Sequence, residues 1–144
     1  GTENGSKIGK GYYWVVSVMT RGLAHPIGTV NGGVAYGGSP PDTSVLHTIA
    51  DLKARGLKVM FNPFILMDIP DSYPWRGHIT GDDMSADATT QVASFMGNAA
   101  VTEFSGLFGG ISFFGTEWSY RRFVLHYAKL CAMAGGLDAF LIGS

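Results

Sequence analysis

The sequence has almost no net charge, a single cysteine and no long apolar run. Acidic and basic side chains nearly balance over the 144 residues, which gives a formal net charge of −1. Such a balance leaves no basic surface for nucleic acid, so we expect no nucleic-acid partner. Cys131 is alone and therefore excludes an internal disulfide. A membrane helix needs about 18 consecutive apolar residues, so we also expect no membrane span.

Motifs for metals, phosphates and nucleotides are missing as well. The four histidines are not spaced as zinc ligands, and His47 and His126 are predicted to lie on the solvent-facing sides of helices. The glycine-rich segment 33–38 has neither the G-x-G-x-x-G pattern nor the lysine of a P-loop. We therefore expect no metal and no cofactor.

The sequence does contain two segments with the same pattern, a helix, a glycine and an apolar strand. In the first segment, Asp42, Thr43 and Ser44 are candidate N-caps. Gly56 is expected to end the helix, because glycine tolerates the left-handed conformation. The apolar run 57–67 then predicts one strand buried on both faces, as in a parallel sheet. The predicted apolar face of this helix consists of Val45, Leu46, Ile49 and Leu52.

The second segment lies near the other end of the sequence. Thr116 is a candidate cap for a helix that starts near Glu117, and Gly135 and Gly136 are expected to stop it. The apolar run 137–142 follows as a second predicted strand. The expected apolar stripe consists of Tyr120, Phe123, Val124, Tyr127, Leu130, Cys131 and Ala134, whereas Arg121, Arg122 and Lys129 face solvent, although either arginine has the length to reach a neighbouring strand.

Four further elements are predicted around these units. The aromatic and β-branched run 12–19 predicts a strand, and Asn31-Gly32 predicts a tight hairpin turn. Ser85 is a candidate cap for a helix that runs to about Gly97, and 104–114 is expected to be a hairpin or a loose flap. Residues 1–11 are polar and glycine-rich, which is typical of a linker or an expression remnant.

Polar side chains follow the first predicted parallel strand, at the edge where α/β proteins bind ligands. Asp68 comes at the strand end as a candidate acceptor for hydroxyl groups, and Asn62 lies inside the strand. In the long loop that follows, Trp75 is a candidate platform for a sugar ring, with Arg76 and His78 as polar neighbours. The structural alternatives remain open: Asp68 caps a turn, and Trp75 covers the end of the core.

A catalytic role is not assigned to any residue. Glycoside hydrolysis needs two carboxylates across a cleft, and Asp68 is the only candidate at a strand end. We therefore expect the chain alone to be inactive.

Several ordered motifs resemble the TIM-barrel-like domain of gene transfer agent tail proteins, over most of residues 12–144. They are Ala35-Tyr36-Gly37-Gly38-Ser39-Pro40-Pro41-Asp42, Asp51-Leu52-Lys53-Ala54-Arg55-Gly56-Leu57-Lys58-Val59, Pro63-Phe64, Met67-Asp68-Ile69-Pro70, Tyr73-Pro74-Trp75-Arg76-Gly77, Tyr120-Arg121-Arg122-Phe123-Val124-Leu125-His126-Tyr127-Ala128 and Gly135-Gly136-Leu137-Asp138-Ala139-Phe140-Leu141-Ile142-Gly143-Ser144.

The resemblance implies a glycoside-hydrolase-like barrel in a large phage-tail-like protein of alphaproteobacteria and their prophages. It implies a role on cell-envelope polysaccharide or peptidoglycan, and a glutamate in the family pattern beyond Ser144. Two departures affect the expected groove: the loop after Asp68 is shorter than in many relatives, and Gly81 stands where relatives often have cysteine.

From these observations we expect an α/β fold in which 12–144 form part of a (β/α)8 barrel, about half of it. The expected setting is a phage-tail-like particle assembled in the cytoplasm, with other tail or baseplate proteins as partners and an envelope glycan as the ligand. A purely structural tail component is the alternative. Because an incomplete barrel leaves open strand edges, we also expect the chain to self-associate.

Overall fold

The computed structural model describes residues 14–17, 24–26, 29–30, 33–34, 40–63, 66–68, 86–107 and 110–142. The strands in this part of the chain are β1 (Trp14–Ser17), β2 (Ala24–Pro26), β3 (Thr29–Val30), β4 (Gly33–Val34), β5 (Met60–Phe61), β6 (Leu66–Asp68), β7 (Phe104–Leu107), β8 (Gly110–Phe113) and β9 (Ala139–Phe140). The helices are α1 (Asp42–Ala54), α2 (Ala88–Met96) and α3 (Tyr120–Met133), and a 3-10 turn covers Val101–Glu103.

Strands β5 and β9 pair in parallel, as the two helix–glycine–strand units predict. Met60 lies opposite Ala139, and Phe61 lies opposite Phe140. Each strand follows a helix, so the connection between them is a crossover of the kind that α/β proteins use. The predicted α/β class is therefore confirmed.

The prediction of one continuous strand over 57–67 is wrong, because the run contains two short strands. Strand β5 ends at Phe61 and β6 begins at Leu66. Pro63 lies between them and has no N–H to donate to a strand ladder. The two strands also have different partners: β5 pairs with β9, whereas β6 pairs in parallel with β1.

The remaining described strands form antiparallel pairs. Strand β2 pairs with the other edge of β1, so Ala24 and His25 lie in a strand. The predicted hairpins are confirmed, since β3 pairs with β4 and β7 pairs with β8.

The core forms where α3 packs against β5 and β9. Phe123, Tyr127 and Leu130 are buried on α3. The Tyr127 ring lies 5.3 Å from that of Phe61, which lies 6.0 Å from the ring of Phe140. This confirms most of the predicted apolar stripe on α3, and it shows that the helix covers one face of the parallel pair.

The helix ends differ in detail from the predictions. Helix α3 begins at Tyr120 rather than near Glu117, and the Ser119 side chain, not Thr116, caps it by accepting from the Arg122 N–H. Helix α2 begins at Ala88, with Asp87 rather than the predicted Ser85 at its N-cap position.

The glycines that were predicted to end the helices are confirmed. Gly56, Gly97, Gly135 and Gly136 all have positive φ, which only glycine adopts without strain.

The Lys53 ammonium at the end of α1 donates to the Gly135 and Gly136 carbonyls at 2.8 and 2.9 Å. This contact fastens α1 to the carboxyl end of α3, where the helix dipole favours a positive charge.

Candidate functional site

The predicted rim of polar residues is partly within the described residues. Asp68 is the last residue of β6 and pairs in register with Ser17, the last residue of β1. Both parallel strands therefore end at the same edge, with Asp68 on it, which is where the sequence places it. Trp75, Arg76 and His78 lie outside the described residues, and their place in the site stays a prediction.

Asn62 directly follows β5 and is half-buried. Its Oδ1 atom is buried and accepts no hydrogen bond from the residues that the structure describes. A buried carbonyl oxygen without a donor costs about 1–3 kcal/mol, and its burial keeps it out of reach of a ligand hydroxyl in this structure. Its role as a ligand contact stays a prediction.

A second polar cluster, which sequence reasoning missed, links α1, α3 and the β7–β8 hairpin. The Oδ1 atom of Asp42 lies 2.9 Å from His126 Nε2, and its Oδ2 accepts from the Ile111 N–H at 2.9 Å. Because an ionised carboxylate only accepts, the imidazole donates through Nε2. Asp42 therefore bridges three elements.

Two predictions about this cluster are wrong. Asp42 was a candidate N-cap, but it is the first residue of α1; Pro41 occupies the cap position, and no side chain caps the helix. His126 was expected to face solvent, but it is buried. The available signal was its spacing: His126 lies three residues after Phe123 and four before Leu130, on the stripe that faces the core.

The surroundings of the Asp42–His126 pair suit packing rather than catalysis. The His126 side chain is only 6% exposed, and its ring meets the Tyr127 ring edge-on at 4.9 Å. An imidazole that acts on a ligand must reach it within hydrogen-bond distance, and this burial prevents such access. The Asp42–His126 pair therefore satisfies buried polar groups in the helix layer.

Arg122 is another residue whose surroundings only the structure identifies. Its guanidinium carbon lies 3.3 Å from the centre of the Trp118 ring and 4.3 Å from that of the Phe113 ring on β8. It also donates to the Glu117 carbonyl at 2.9 Å. The simple solvent-facing interpretation is wrong for Arg122, and the alternative, contact with a neighbouring strand, is confirmed.

Three other carboxylates accept hydrogen bonds from the backbone of their own chain. Glu117 accepts from the Asn98 N–H, Glu103 from the Ala100 N–H and Asp138 from the Val59 N–H. Each of these hydrogen bonds holds a loop, or the residue just before a strand, in place. No three His, Cys, Asp or Glu side chains among the described residues group as metal ligands.

Cys131 is buried on α3, as its place on the apolar stripe predicts. Burial disfavours the thiolate and raises the pKa of the thiol to about 11. A nucleophilic cysteine needs a lowered pKa, so the environment of Cys131 opposes such a role.

Comparisons with known proteins bear on the last helix and strand. Residues 118–144 match the family model of the GTA TIM-barrel-like domain. This segment contains α3 and β9, and the match agrees with the family that the sequence resembles. No curated protein matches the chain. Within the described part of the chain, no helix has the length and apolar character to cross a bilayer.

Proposed function

We propose that this chain, whose residues 118–144 match the GTA TIM-barrel-like domain, serves in the tail of a gene transfer agent or phage-tail-like particle. In this proposal its glycoside-hydrolase-like barrel contacts polysaccharide or peptidoglycan of the cell envelope. The particle is assembled in the cytoplasm, in an alphaproteobacterial or prophage setting, and other tail or baseplate proteins are the partners.

One observation carries the glycan part of the proposal. Ser17 and Asp68 pair in register at the carboxyl ends of two parallel strands, and ligands of α/β sheets and barrels bind at that edge. The carboxylate type at Asp68 suits the hydroxyl groups of a sugar, because it accepts hydrogen bonds only.

A structural tail component without a ligand is the second candidate. It is favoured by the number of polar groups that the chain uses for itself. Asp42, Glu103, Glu117 and Asp138 all accept hydrogen bonds within the chain. Under this alternative the helix–strand units serve as an assembly block, and Asp68 serves to end a strand.

Titration with soluble peptidoglycan fragments distinguishes the two candidates. We expect ligand in the millimolar range to change the tryptophan fluorescence of the full chain, and Trp75→Phe to abolish the change. Trp118→Phe is the matched control, because that ring already packs against Arg122. A chain that gives no response, or a response that survives Trp75→Phe, contradicts the proposed rim.

The contribution of Asp68 is tested in the same titration. Asp68→Asn removes the charge at the strand end and is expected to weaken binding about tenfold, which corresponds to about 1.4 kcal/mol. Asp51→Asn is its control, since Asp51 lies on α1 in an exposed pair with Arg55 and such pairs contribute little. Equal affinities of both variants would favour the structural alternative.

A further inference from the structure

The carboxyl end of α3 packs closely against the backbone of the β7–β8 hairpin. Met133 is the last residue of α3, and its Sδ atom occupies the place where a Cβ atom on Gly106 of β7 would be. The Cε and Cγ atoms of the same side chain lie 3.1 and 3.2 Å from that place. The thioether therefore rests directly on the Gly106 backbone, and only glycine leaves room for it.

The hairpin is held at the same position by a second contact. Gly106 lies opposite Ile111 in the register of β7 and β8. The Ile111 N–H donates to Asp42 Oδ2 at 2.9 Å, and the other oxygen of Asp42 holds His126 on α3. Both contacts act on one cross-strand pair, so a displacement of Gly106 also displaces the donor of the Asp42 hydrogen bond.

Met133 is 38% exposed, so a small oxidant reaches its side chain. We propose that Met133 is a peroxide-sensitive contact, whose oxidation frees the β7–β8 hairpin from the end of α3. In this step the sulfur takes one oxygen atom from hydrogen peroxide, the O–O bond breaks and an S–O bond forms. The thioether is oxidised to a sulfoxide, and the peroxide is reduced to water.

The sulfoxide does not fit the contact that the thioether makes. It is polar and carries an additional oxygen, whereas the Gly106 backbone lies against the sulfur. A group forced into a packed contact displaces its neighbours. The base of the hairpin has its own attachments, since the Phe104 and Phe113 rings lie 4.8 Å apart and the Arg122 guanidinium lies 4.3 Å from the Phe113 ring. Oxidation therefore opens the hairpin locally and leaves the rest of the fold in place. This contact is independent of the glycan-binding role proposed above.

Amide hydrogen exchange of the full 144-residue chain, before and after treatment with hydrogen peroxide, tests the proposal. Peptide mass spectrometry identifies which methionines carry the added oxygen. Oxidation is expected to speed exchange at the Ile111 N–H about tenfold, the order of effect that a group forced into a packed contact produces. Exchange at the buried Ile49 in the middle of α1 is expected to stay unchanged.

Met133→Leu is the decisive variant, because leucine has a similar volume and no thioether. It is expected to keep slow exchange at Ile111 in the presence of peroxide. Met60→Leu and Met96→Leu are the matched controls, because these methionines are 65% and 45% exposed and lie on β5 and α2 rather than against the hairpin. Both controls are expected to respond to peroxide as the wild type does.

Three results would overturn the proposal. The first is an equal acceleration in treated Met133→Leu, because another methionine would then be responsible. The second is a wild type that is oxidised at Met133 without faster exchange at Ile111, and the third is a Met133 that stays reduced while Met60 and Met96 are oxidised. The last two need no variant, so they apply even if Met133→Leu does not fold. Methionine sulfoxide reductases reverse the oxidation and are expected to restore slow exchange at Ile111.

Discussion

At the scale of single residues, Asp42 has the widest structural role among the described side chains. Its two carboxylate oxygens hold His126 on α3 and the Ile111 N–H on β8, while its backbone starts α1. A negative charge in the first turn also complements the helix dipole. The packing of α1, α3 and the hairpin therefore depends on one acidic residue.

Asp42→Ala is expected to lower the free energy of unfolding by about 1–3 kcal/mol, because it leaves the buried His126 ring and the partly buried Ile111 N–H without an acceptor. Urea unfolding followed by circular dichroism measures the change. Asp51→Ala, on the exposed side of the same helix, is expected to stay within about 0.5 kcal/mol of the wild type. Similar losses in both variants would show that the bridge is not a significant source of stability.

The buried thiol of Cys131 makes the stability of the folded chain depend on pH. Its thiol pKa rises from 9.0 in the unfolded chain to about 11 in the folded chain. Between these values the unfolded chain loses the proton first, so stability falls as pH rises from about 9 to about 11. A shift of about two units corresponds to about 2–3 kcal/mol. Below pH 9 both states keep the proton, and the thiol contributes no pH dependence.

Thermal unfolding at pH 8 and pH 11 tests this effect. The wild type is expected to lose more stability over that interval than Cys131→Ala, which has no thiol to titrate. Because other groups titrate in both proteins, only the difference between them is informative. A Cys131→Ala chain with the same pH dependence as the wild type would contradict the buried thiol.

Residue-level predictions succeeded where periodicity alone determines burial. The apolar residues of α1 and α3 and the buried Cys131 follow from helical spacing. The spacing of His126 indicates burial, but a buried polar side chain also needs a partner, and Asp42 lies 84 positions away. Tertiary contact supplied that partner, and no local rule indicates it.

At the scale of elements, the helix–glycine–strand unit explains most of the architecture. Gly56 and Gly135 end the helices with positive φ, and the strands that follow each unit pair in parallel. The sequence did not predict the division of 57–67 into β5 and β6. A largely apolar run suggests one strand despite Asn62 and Pro63 within it, whereas the pairing of each end with a different partner is a property of the tertiary fold.

Helix α3 is the element on which the core depends, and Phe123 tests that dependence. Phe123 is only 1% exposed, so Phe123→Ala is expected to cost about 3–5 kcal/mol through lost burial and the cavity left behind. Phe114→Ala is the matched control, because Phe114 is 71% exposed, and it is expected to cost under about 0.5 kcal/mol. Chemical denaturation measures both values, and comparable losses would place the core elsewhere.

At the scale of the whole molecule, two helix–strand units set their strands side by side and in the same direction. This arrangement agrees with the match of residues 118–144 to a TIM-barrel-like family. The edge that carries Asp68 belongs to a different parallel pair, β1 and β6, whose carboxyl ends meet there. If β5 and β9 ran in opposite directions, the two helix–strand units would not form the parallel layer that defines this fold class.

Paired cysteines test this direction most directly, in a chain whose own thiol is removed by Cys131→Ala. In the parallel register Met60 lies opposite Ala139, and Cα atoms about 4.4–6.8 Å apart can be bridged by a disulfide. We expect Met60→Cys/Ala139→Cys to form an intrachain disulfide readily, measured by mass spectrometry in dilute solution, and Met60→Cys/Leu141→Cys to form it poorly. An antiparallel pair centred on Phe61 and Phe140 would place Met60 opposite Leu141, so the reverse order of the two yields would contradict the account.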